Sequence, residues 1–314
     1  MLNVGEGREK KKMSSVLERA QRDVAPLDVD PIAGVDLADL GAVRERKVRD
    51  KRFAPPRLLR LLYWIYECRL LHQLQRGPLP RHVGIILDGN RRYARRHGLG
   101  TPHEIYHYGA AKLDDVLDWC AALGITAVTL WVFSTENLKR APAEICGILA
   151  AIEAKLRALA QDPFMHDKRI RVRAIGRLDI LPESVVAAIR AAEAATAQYD
   201  STTLTIAAAY GGREEIVDAV CSFLEAQAKQ GASLCDVIAN VSSEAIARHL
   251  YAADLPDPDL IIRTSGETRL SGFLLWQSVH SEFYFTDVLW PAFRKIDFLR
   301  AIRAYQERNR RFGR

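Results

Sequence analysis

The sequence predicts an α/β fold: one domain with a central, mostly parallel sheet flanked by helices, preceded by an N-terminal extension and an amphipathic helix. Three observations carry this expectation. Five short apolar runs, at 82–87, 127–134, 170–175, 202–209 and 260–263, read as buried strands. Helix-period patterns fall between and after them, near 107–123, 143–160, 183–197, 213–230 and 243–250, with a last one near 296–311. No internal repeat or low-complexity tract interrupts the alternation. Strands buried on both faces and separated by helices form parallel sheets, and such sheets bind ligands beyond the carboxyl ends of their strands.

In chain order, residues 1–52 are of mixed charge, poor in aromatic residues and without sustained periodicity, so they read as a mobile extension. Residues 53–79 contain PPRLLRLLYWIYECRLLHQLQRG, in which Leu59, Leu62, Tyr63, Tyr66, Leu70 and Leu74 recur at helical spacing. Proline precedes this run and glycine follows it, which predicts one amphipathic helix of about five turns. It can pack on the main domain, or its Trp, Tyr and Arg residues can rest on a membrane surface or cover a lipid-binding mouth. Residues 80–314 carry the strand–helix alternation.

Hydrophobic residues make up 48% and charged residues 27% of the 314 positions, a balance that suits a globular domain with a sizeable core. No apolar run approaches the ~20 residues of a membrane span, and MLNVGEGREKKKMSS lacks the apolar centre of a secretory signal. Cys68, Cys120, Cys146, Cys221 and Cys235 are scattered and show no CxxC spacing. They fit small hydrophobes in a reducing compartment better than a disulfide frame or a zinc site. The expected location is cytoplasmic, with peripheral contact on the inner face of the membrane as an extension of the helix reading.

The formal charge of +6 is unevenly spread. Residues 53–100 carry nine Arg, no Lys and two acids, Glu67 and Asp88, whereas residues 101–314 carry twenty-four basic against twenty-seven acidic side chains. Arg without Lys favours paired recognition of phosphate oxygens by the planar guanidinium.

Four polar clusters fall at or beside strand ends. The first is DGNRR at 88–92, where Asp88 ends a strand, Gly89 permits close backbone approach and Asn90 can cap the next helix. Arg92, Arg95 and Arg96 lie near one helical face, and exposed amides at a helix start bind anions. A capped, solvated basic helix would use the same residues. An acid beside a phosphate cradle can also hold Mg²⁺ that bridges to a diphosphate. A phosphatase with a strand-end Asp nucleophile would want a second Asp where Asn90 stands.

The second cluster is FSTENLKR at 133–140: Ser134 and Asn137 supply neutral hydrogen bonds and Arg140 a phosphate donor, although the same residues suit a plain turn. The third, PDPDLIIRTSGETRLSGFLLWQ at 256–277, places Arg263, Arg269 and Ser271 within nine residues, among Gly266 and Gly272. Two arginines around TSGE, directly after an apolar run, form an anion clamp. In the fourth, HSEFYFTDVLWP at 280–291, Glu282 stands before an aromatic run, where an acid needs a partner or a metal. AAYGGREEI at 208–216 ends a further strand with Gly211 and Gly212, which suits close packing, backbone binding or a simple turn. Two basic clamps, two separated carboxylates and apolar strands suit an enzyme that joins two greasy diphosphates, with an acid-held Mg²⁺ at the leaving group.

These motifs in this order resemble the cis-prenyltransferase (undecaprenyl diphosphate synthase-like) family. The resemblance runs from about Pro80 to Gly313 and rests on ILDGNRR, FSTENLKR, AAYGGREEI, PDPDLIIRTSGETRLSGFLLWQ, EFYFTDVLWP and the terminal RRFG. Its wording is closest to short-chain bacterial members. The resemblance implies a homodimer and a hydrophobic tunnel for the growing chain. It implies Asp88 as the catalytic, Mg²⁺-binding acid, with Gly89, Asn90, Arg91 and Arg92 around the allylic diphosphate. It further implies Arg263, Arg269 and Ser271 on isopentenyl diphosphate, and Glu282 completing the metal site from the partner subunit's side. Ser134, Asn137 and Arg140 would position the substrates around the new bond. The implied reaction ionises the allylic diphosphate at C1, attacks it with the isopentenyl double bond and loses a proton to leave a Z double bond.

The chain departs from the family pattern at several positions. GNGRW is GNRRY here, so Arg91 stands for Gly and Tyr93 for Trp. The downstream Arg and GH pair of longer-chain members becomes GTPHEIYHYGAAK, where His103, Tyr106 or His107 can substitute. STENW becomes STENL at Leu138, and Val132, two residues before Ser134, points to a short or medium product such as a Z,E-farnesyl diphosphate. The alternatives are a long-chain undecaprenyl or decaprenyl diphosphate synthase, a non-catalytic regulatory subunit and a basic nucleic-acid binder. Asp88 and Glu282 count against a silent subunit. Arginines gathered at strand ends beside acids, without interleaved aromatics over several elements, count against nucleic acid.

Overall fold

The computed structural model describes residues 57–308; the expected extension over 1–52 and the terminal RRFG lie outside the described residues. The strands are β1 (His82–Ile86), β2 (Ala127–Trp131), β3 (Ile170–Ile175), β4 (Thr202–Ala207), β5 (Leu260–Arg263) and β6 (Glu282–Phe285). They form one sheet in the order β3-β4-β2-β1-β5-β6, with every pairing parallel. All five residues of β1 are buried, as a central strand covered on both faces requires. Val83 and Ile85 point to one face, into a core shared with the helices, while Ile86 points to the other, onto Phe273 and Tyr210.

The longer helices are α1 (Arg57–Leu74), α2 (Asn90–His97), α3 (Pro102–Leu123), α4 (Pro142–Ala160) and, after the short α5 (Pro163–Asp167), α6 (Glu183–Thr196). They are followed by α7 (Gly212–Lys229), α8 (Leu234–Asn240), α9 (Ser243–Ala247) and α10 (Lys295–Glu307). The periodicity places the start of α3 near 107, but the helix begins at Pro102. The reason is a capping box: the Thr101 hydroxyl accepts from the Glu104 amide at 3.2 Å, and the Glu104 carboxylate accepts from the Thr101 amide at 3.3 Å. Helix α8, which the apolar pattern does not reveal, has no buried residue and is started by a similar box between Ser233 and Asp236.

The described side chains of the α1 stripe differ in burial. Leu70 and Leu74 are buried, whereas Tyr63 and Tyr66 are exposed, with Arg294 and Arg300 from the α10 side lying over their rings at 5.6 and 5.8 Å. Gln306 donates to the Leu74 carbonyl at 2.8 Å and ties α1 to α10. Among the described residues no helix is long and apolar enough to cross a membrane.

A cavity open to solvent on one side lies between the sheet and helices α3 and α4. Leu130, Val132 and Ile206 line its sheet side, and Leu113, Ile148 and Leu156 its helix side. It also reaches Asn90 and Tyr106, beyond the carboxyl end of β1.

Candidate active site

Strand order brings the first and third polar clusters together. β1 pairs with β5, with Ile86 opposite Arg263, so the residues that follow both strands emerge side by side. The Arg263 guanidinium is buried; its Nη2 donates to Asp88 Oδ2 at 2.9 Å and its Nη1 to Ser271 Oγ at 2.8 Å and to the Arg269 carbonyl. Arg263 Nε is buried without a hydrogen-bond partner among the described residues. Thr264 fixes the backbone of Asp88, its hydroxyl donating to the Asp88 carbonyl at 2.7 Å and accepting from the Asp88 amide at 3.0 Å. Burial alone would raise the Asp88 carboxyl, but the hydrogen bond and charge of Arg263, with the Gly89 amide, hold it below the usual carboxylate range. Asp88 is therefore ionised at neutral pH.

The turn into α2 differs from the expected Asn90 cap. Gly89 is the N-cap residue, at φ 105°, and no side chain caps the helix. A Cβ on Gly89 would lie 2.9 Å from Leu289 Cδ2, so both the backbone conformation and the close approach favour glycine. Asn90 instead donates to the Leu87 carbonyl at 3.1 Å, and its Oδ1 is buried without a partner among the described residues. A Cβ at position 109 would meet Asn90 Oδ1 at 2.5 Å, so glycine there leaves the Asn90 side chain in its place. The first amides of α2 are thus left uncapped, and they carry the positive end of the helix dipole.

The arginines divide into two groups. Arg92 lies 3.7 Å from Glu267, which also pairs with Arg269, so one carboxylate joins the α2 cradle to the clamp after β5. Arg91 and Arg140 both approach Glu144, together with the Tyr106 hydroxyl. Arg95 and Arg96 are exposed to solvent. Of the residues weighed at the missing downstream arginine, Tyr106 reaches this group.

Ser134 and Asn137 cap the short 3-10 helix Thr135–Lys139 reciprocally: Ser134 Oγ accepts from the Asn137 amide at 3.2 Å, and Asn137 Oδ1 accepts from the Ser134 amide at 3.1 Å. The hydroxyl proton of Ser134 and the NH₂ of Asn137 take no part in this cap.

The AAYGGREEI turn anchors the clamp loop. The Gly212 amide donates to the Gly272 carbonyl at 2.8 Å. Buried Glu215 accepts from Tyr210 OH at 2.5 Å, from Gln277 Nε2 at 3.0 Å and from the Tyr251 amide at 3.1 Å. Burial raises the Glu215 carboxyl above its usual range against these hydrogen bonds.

Glu282 does not meet Asp88 within one chain. It opens β6 opposite Leu260, three residues or ~10 Å back from the level of Arg263, and it accepts from Arg308 Nη1 at 2.7 Å. Among the described residues no group of three or more His, Cys, Asp or Glu could hold a metal by protein donors alone. The ionised, half-buried Asp88 suits a cation that takes its remaining ligands from water and phosphate.

Sequence reasoning missed the two glutamates. The i,i+4 spacing of Arg140 and Glu144 is a signal that could have revealed one. Glu267 lies inside the TSGE quoted for the clamp, but its pairing with Arg92 has no local signature.

A family model described as putative undecaprenyl diphosphate synthase matches residues 86–313. The chain is 56% identical over 254 residues to an isoprenyl transferase of Deinococcus radiodurans, covering 80% of this chain and 92% of the relative. It is 50% identical over 257 residues to a (2Z,6E)-farnesyl diphosphate synthase of Thermobifida fusca, covering 82% and 99% respectively. Among solved structures it resembles lavandulyl diphosphate synthase from Lavandula x intermedia, in complex with dimethylallyl diphosphate. That match has a TM-score of 0.68 and 33% identity and covers 75% of this chain and 99% of the other.

Proposed function

The chain belongs to the undecaprenyl diphosphate synthase-like family of cis-prenyltransferases, and on that premise we propose a role for each cluster. Asp88, Gly89, Asn90, Arg91, Arg92 and Arg140 receive the allylic diphosphate, and Arg263, Arg269 and Ser271 receive isopentenyl diphosphate. The observation that carries this reading is the Arg263–Asp88 contact of 2.9 Å, which joins the two basic clusters at one end of the sheet, beside an apolar cavity.

Asp88 is the residue to hold Mg²⁺, with Glu282 of the partner subunit completing the site in a homodimer. A Mg²⁺ ion held there would supply charge neutralisation for the departing diphosphate. Arg91, Arg92 and the uncapped amides of α2 grip the same phosphates as the C1–O bond breaks. Arg269 turns from Glu267 to isopentenyl diphosphate, because a diphosphate offers a guanidinium more charge than one carboxylate. The Ser134 hydroxyl and the Asn137 NH₂ donate to the substrates around the forming bond. The cavity takes the hydrocarbon and keeps water from the allylic cation.

We assign a short product, on the order of fifteen carbons. Val132 lines the cavity, and a branched side chain there suits a short product better than a small residue would. The exposed Trp64, in a helix flanked by Arg294 and Arg300, supports peripheral contact of a cytoplasmic enzyme with an anionic membrane face.

The test is incubation with Mg²⁺, labelled isopentenyl diphosphate and, separately, allylic primers of five, ten, fifteen and twenty carbons, followed by sizing of the dephosphorylated products. Extension that stops near fifteen carbons is expected. A ladder reaching fifty carbons or more would refute the short-product assignment.

A further inference from the structure

Three polar side chains converge on one oxygen beside the cavity. Glu144 lies in the first turn of α4, and its Oε1 accepts from Tyr106 OH at 2.8 Å and from Arg140 Nη1 at 2.7 Å, with Arg91 Nε 3.6 Å away. Arg140 Nη1 also donates to the phenol oxygen at 3.1 Å. These residues come from four places: α2, α3, the end of the 3-10 turn after β2, and α4. Tyr106 also lines the cavity, so the group spans from the α2 cradle to the cavity wall.

Two guanidiniums share one carboxylate here, and the rim keeps a net positive charge. Each uses one nitrogen on Glu144, Nη1 for Arg140 and Nε for Arg91. A guanidinium carries five N–H donors, so both retain donors for a phosphate. The Arg91 side chain is 58% exposed, and an ion pair so open to water adds little to stability. Its effect lies in direction: two long side chains that would lose rotamer freedom on meeting a ligand are already aimed. Burial alone would raise the Glu144 carboxyl, but the Tyr106 hydrogen bond and the charges of Arg140 and Arg91 take it below its usual value. Burial and Glu144 push the Tyr106 phenol up, so it keeps its proton and remains a donor.

We infer that Glu144 is a positioning residue for the allylic diphosphate, holding Arg91 and Arg140 as paired donors at the cavity mouth while Tyr106 braces Glu144 against the wall. The inference rests on the allylic assignment of the Asp88 cluster made above. It gives Arg91, which stands where the family pattern has glycine, a task in catalysis. On the same reading isopentenyl diphosphate is held by Arg263, Arg269 and Ser271, which pair with Asp88, with Glu267 and with one another instead of with Glu144, so the two substrates should respond differently when the rim is broken.

The experiment uses the full chain and the variants Glu144→Gln, Tyr106→Phe, Arg91→Gly and the double variant Glu144→Gln/Arg91→Gly, each first shown to be folded by thermal unfolding. Glu144→Gln should raise KM for the allylic primer about tenfold and Tyr106→Phe a few-fold, with KM for isopentenyl diphosphate within about twofold of the parent. Arg91→Gly should cost less in the Glu144→Gln background than alone, because the two act through one contact. Calorimetric titration with inorganic pyrophosphate should weaken in the same order. Tighter pyrophosphate binding by Glu144→Gln would make Glu144 a competitor for the cations and overturn the inference. So would allylic and isopentenyl KM values that move together, or that do not move, in folded variants. If the parent extends no primer the allylic assignment itself fails, whereas normal extension with an unmoved allylic KM defeats only the rim.

Discussion

Arg263 Nη2 donates to Asp88 Oδ2 at 2.9 Å, although the two residues are separated by 175 positions in the sequence. The contact exists because β1 and β5 are neighbours in the sheet, and it leaves a buried cation that depends on one carboxylate. Asp88→Ala is therefore expected to abolish turnover and also to lower stability by about 2–3 kcal/mol, since Arg263 keeps only a carbonyl and a hydroxyl as partners. Activity assays with chemical denaturation check both halves. Retained turnover would show that the metal-holding acid has been misassigned.

The same pair predicts a pH dependence. The folded-state pKa of Asp88 lies below its ordinary value of 3.8, so its contribution to stability is present above that value and fades as pH falls through the lower, folded value. Denaturation curves for the parent and Asp88→Asn, taken from neutral pH down to about pH 3, should converge on the acid side. A gap that stays constant over this range would mean that Asp88 is not ionised in the folded protein.

Val132 and Leu156 both line the cavity, one from the sheet side and one from α4. Replacing either by alanine should lengthen the product distribution by one or more five-carbon units and cost roughly 1–4 kcal/mol of stability. Product sizing reads the first effect. An unchanged distribution in both folded variants would place the limit on chain growth elsewhere.

Glu215 is fully buried, and its carboxyl titrates above the usual range. Its stabilising contribution is complete below the ordinary carboxyl pKa and is lost as pH rises through the folded value. Glu215→Gln retains acceptors for Tyr210 and Gln277 and should be close to neutral at acid pH and stabilising at higher pH. Glu215→Ala should cost about 2–4 kcal/mol by leaving three donors without their acceptor. Thermal melts across pH decide the matter, with a destabilising Glu215→Gln at high pH as the contrary result.

Most of the sheet was legible because its strands are buried on both faces and so appear as unbroken apolar runs, as in HVGII and DLII. The positions of the polar clusters were legible for a related reason: polar residues stand out where such a run stops. Contacts set by strand order were not legible. Neither the Arg263–Asp88 pair nor the Arg92–Glu267 pair has any local spacing, since each joins elements that meet only in the folded sheet. Asn90 was misjudged as a cap for a tertiary reason, the close approach of Leu289 that reserves the capping position for Gly89. Helix α1 shows the converse, since its periodic stripe includes Tyr63 and Tyr66, which are exposed among the described residues.

The strand order β3-β4-β2-β1-β5-β6 also bears on the chain during its synthesis. A ribosome delivers β1 to β4 first, and those strands fill one contiguous side of the sheet with β1 at its margin. Until residues 260–263 emerge, β1 shows an unpaired apolar edge, a template for pairing with another nascent chain. The strand that covers this edge is the one that ends in Arg263. Cover for the β1 edge and the Arg263–Asp88 charge pair therefore arrive together, with the fifth of the six strands.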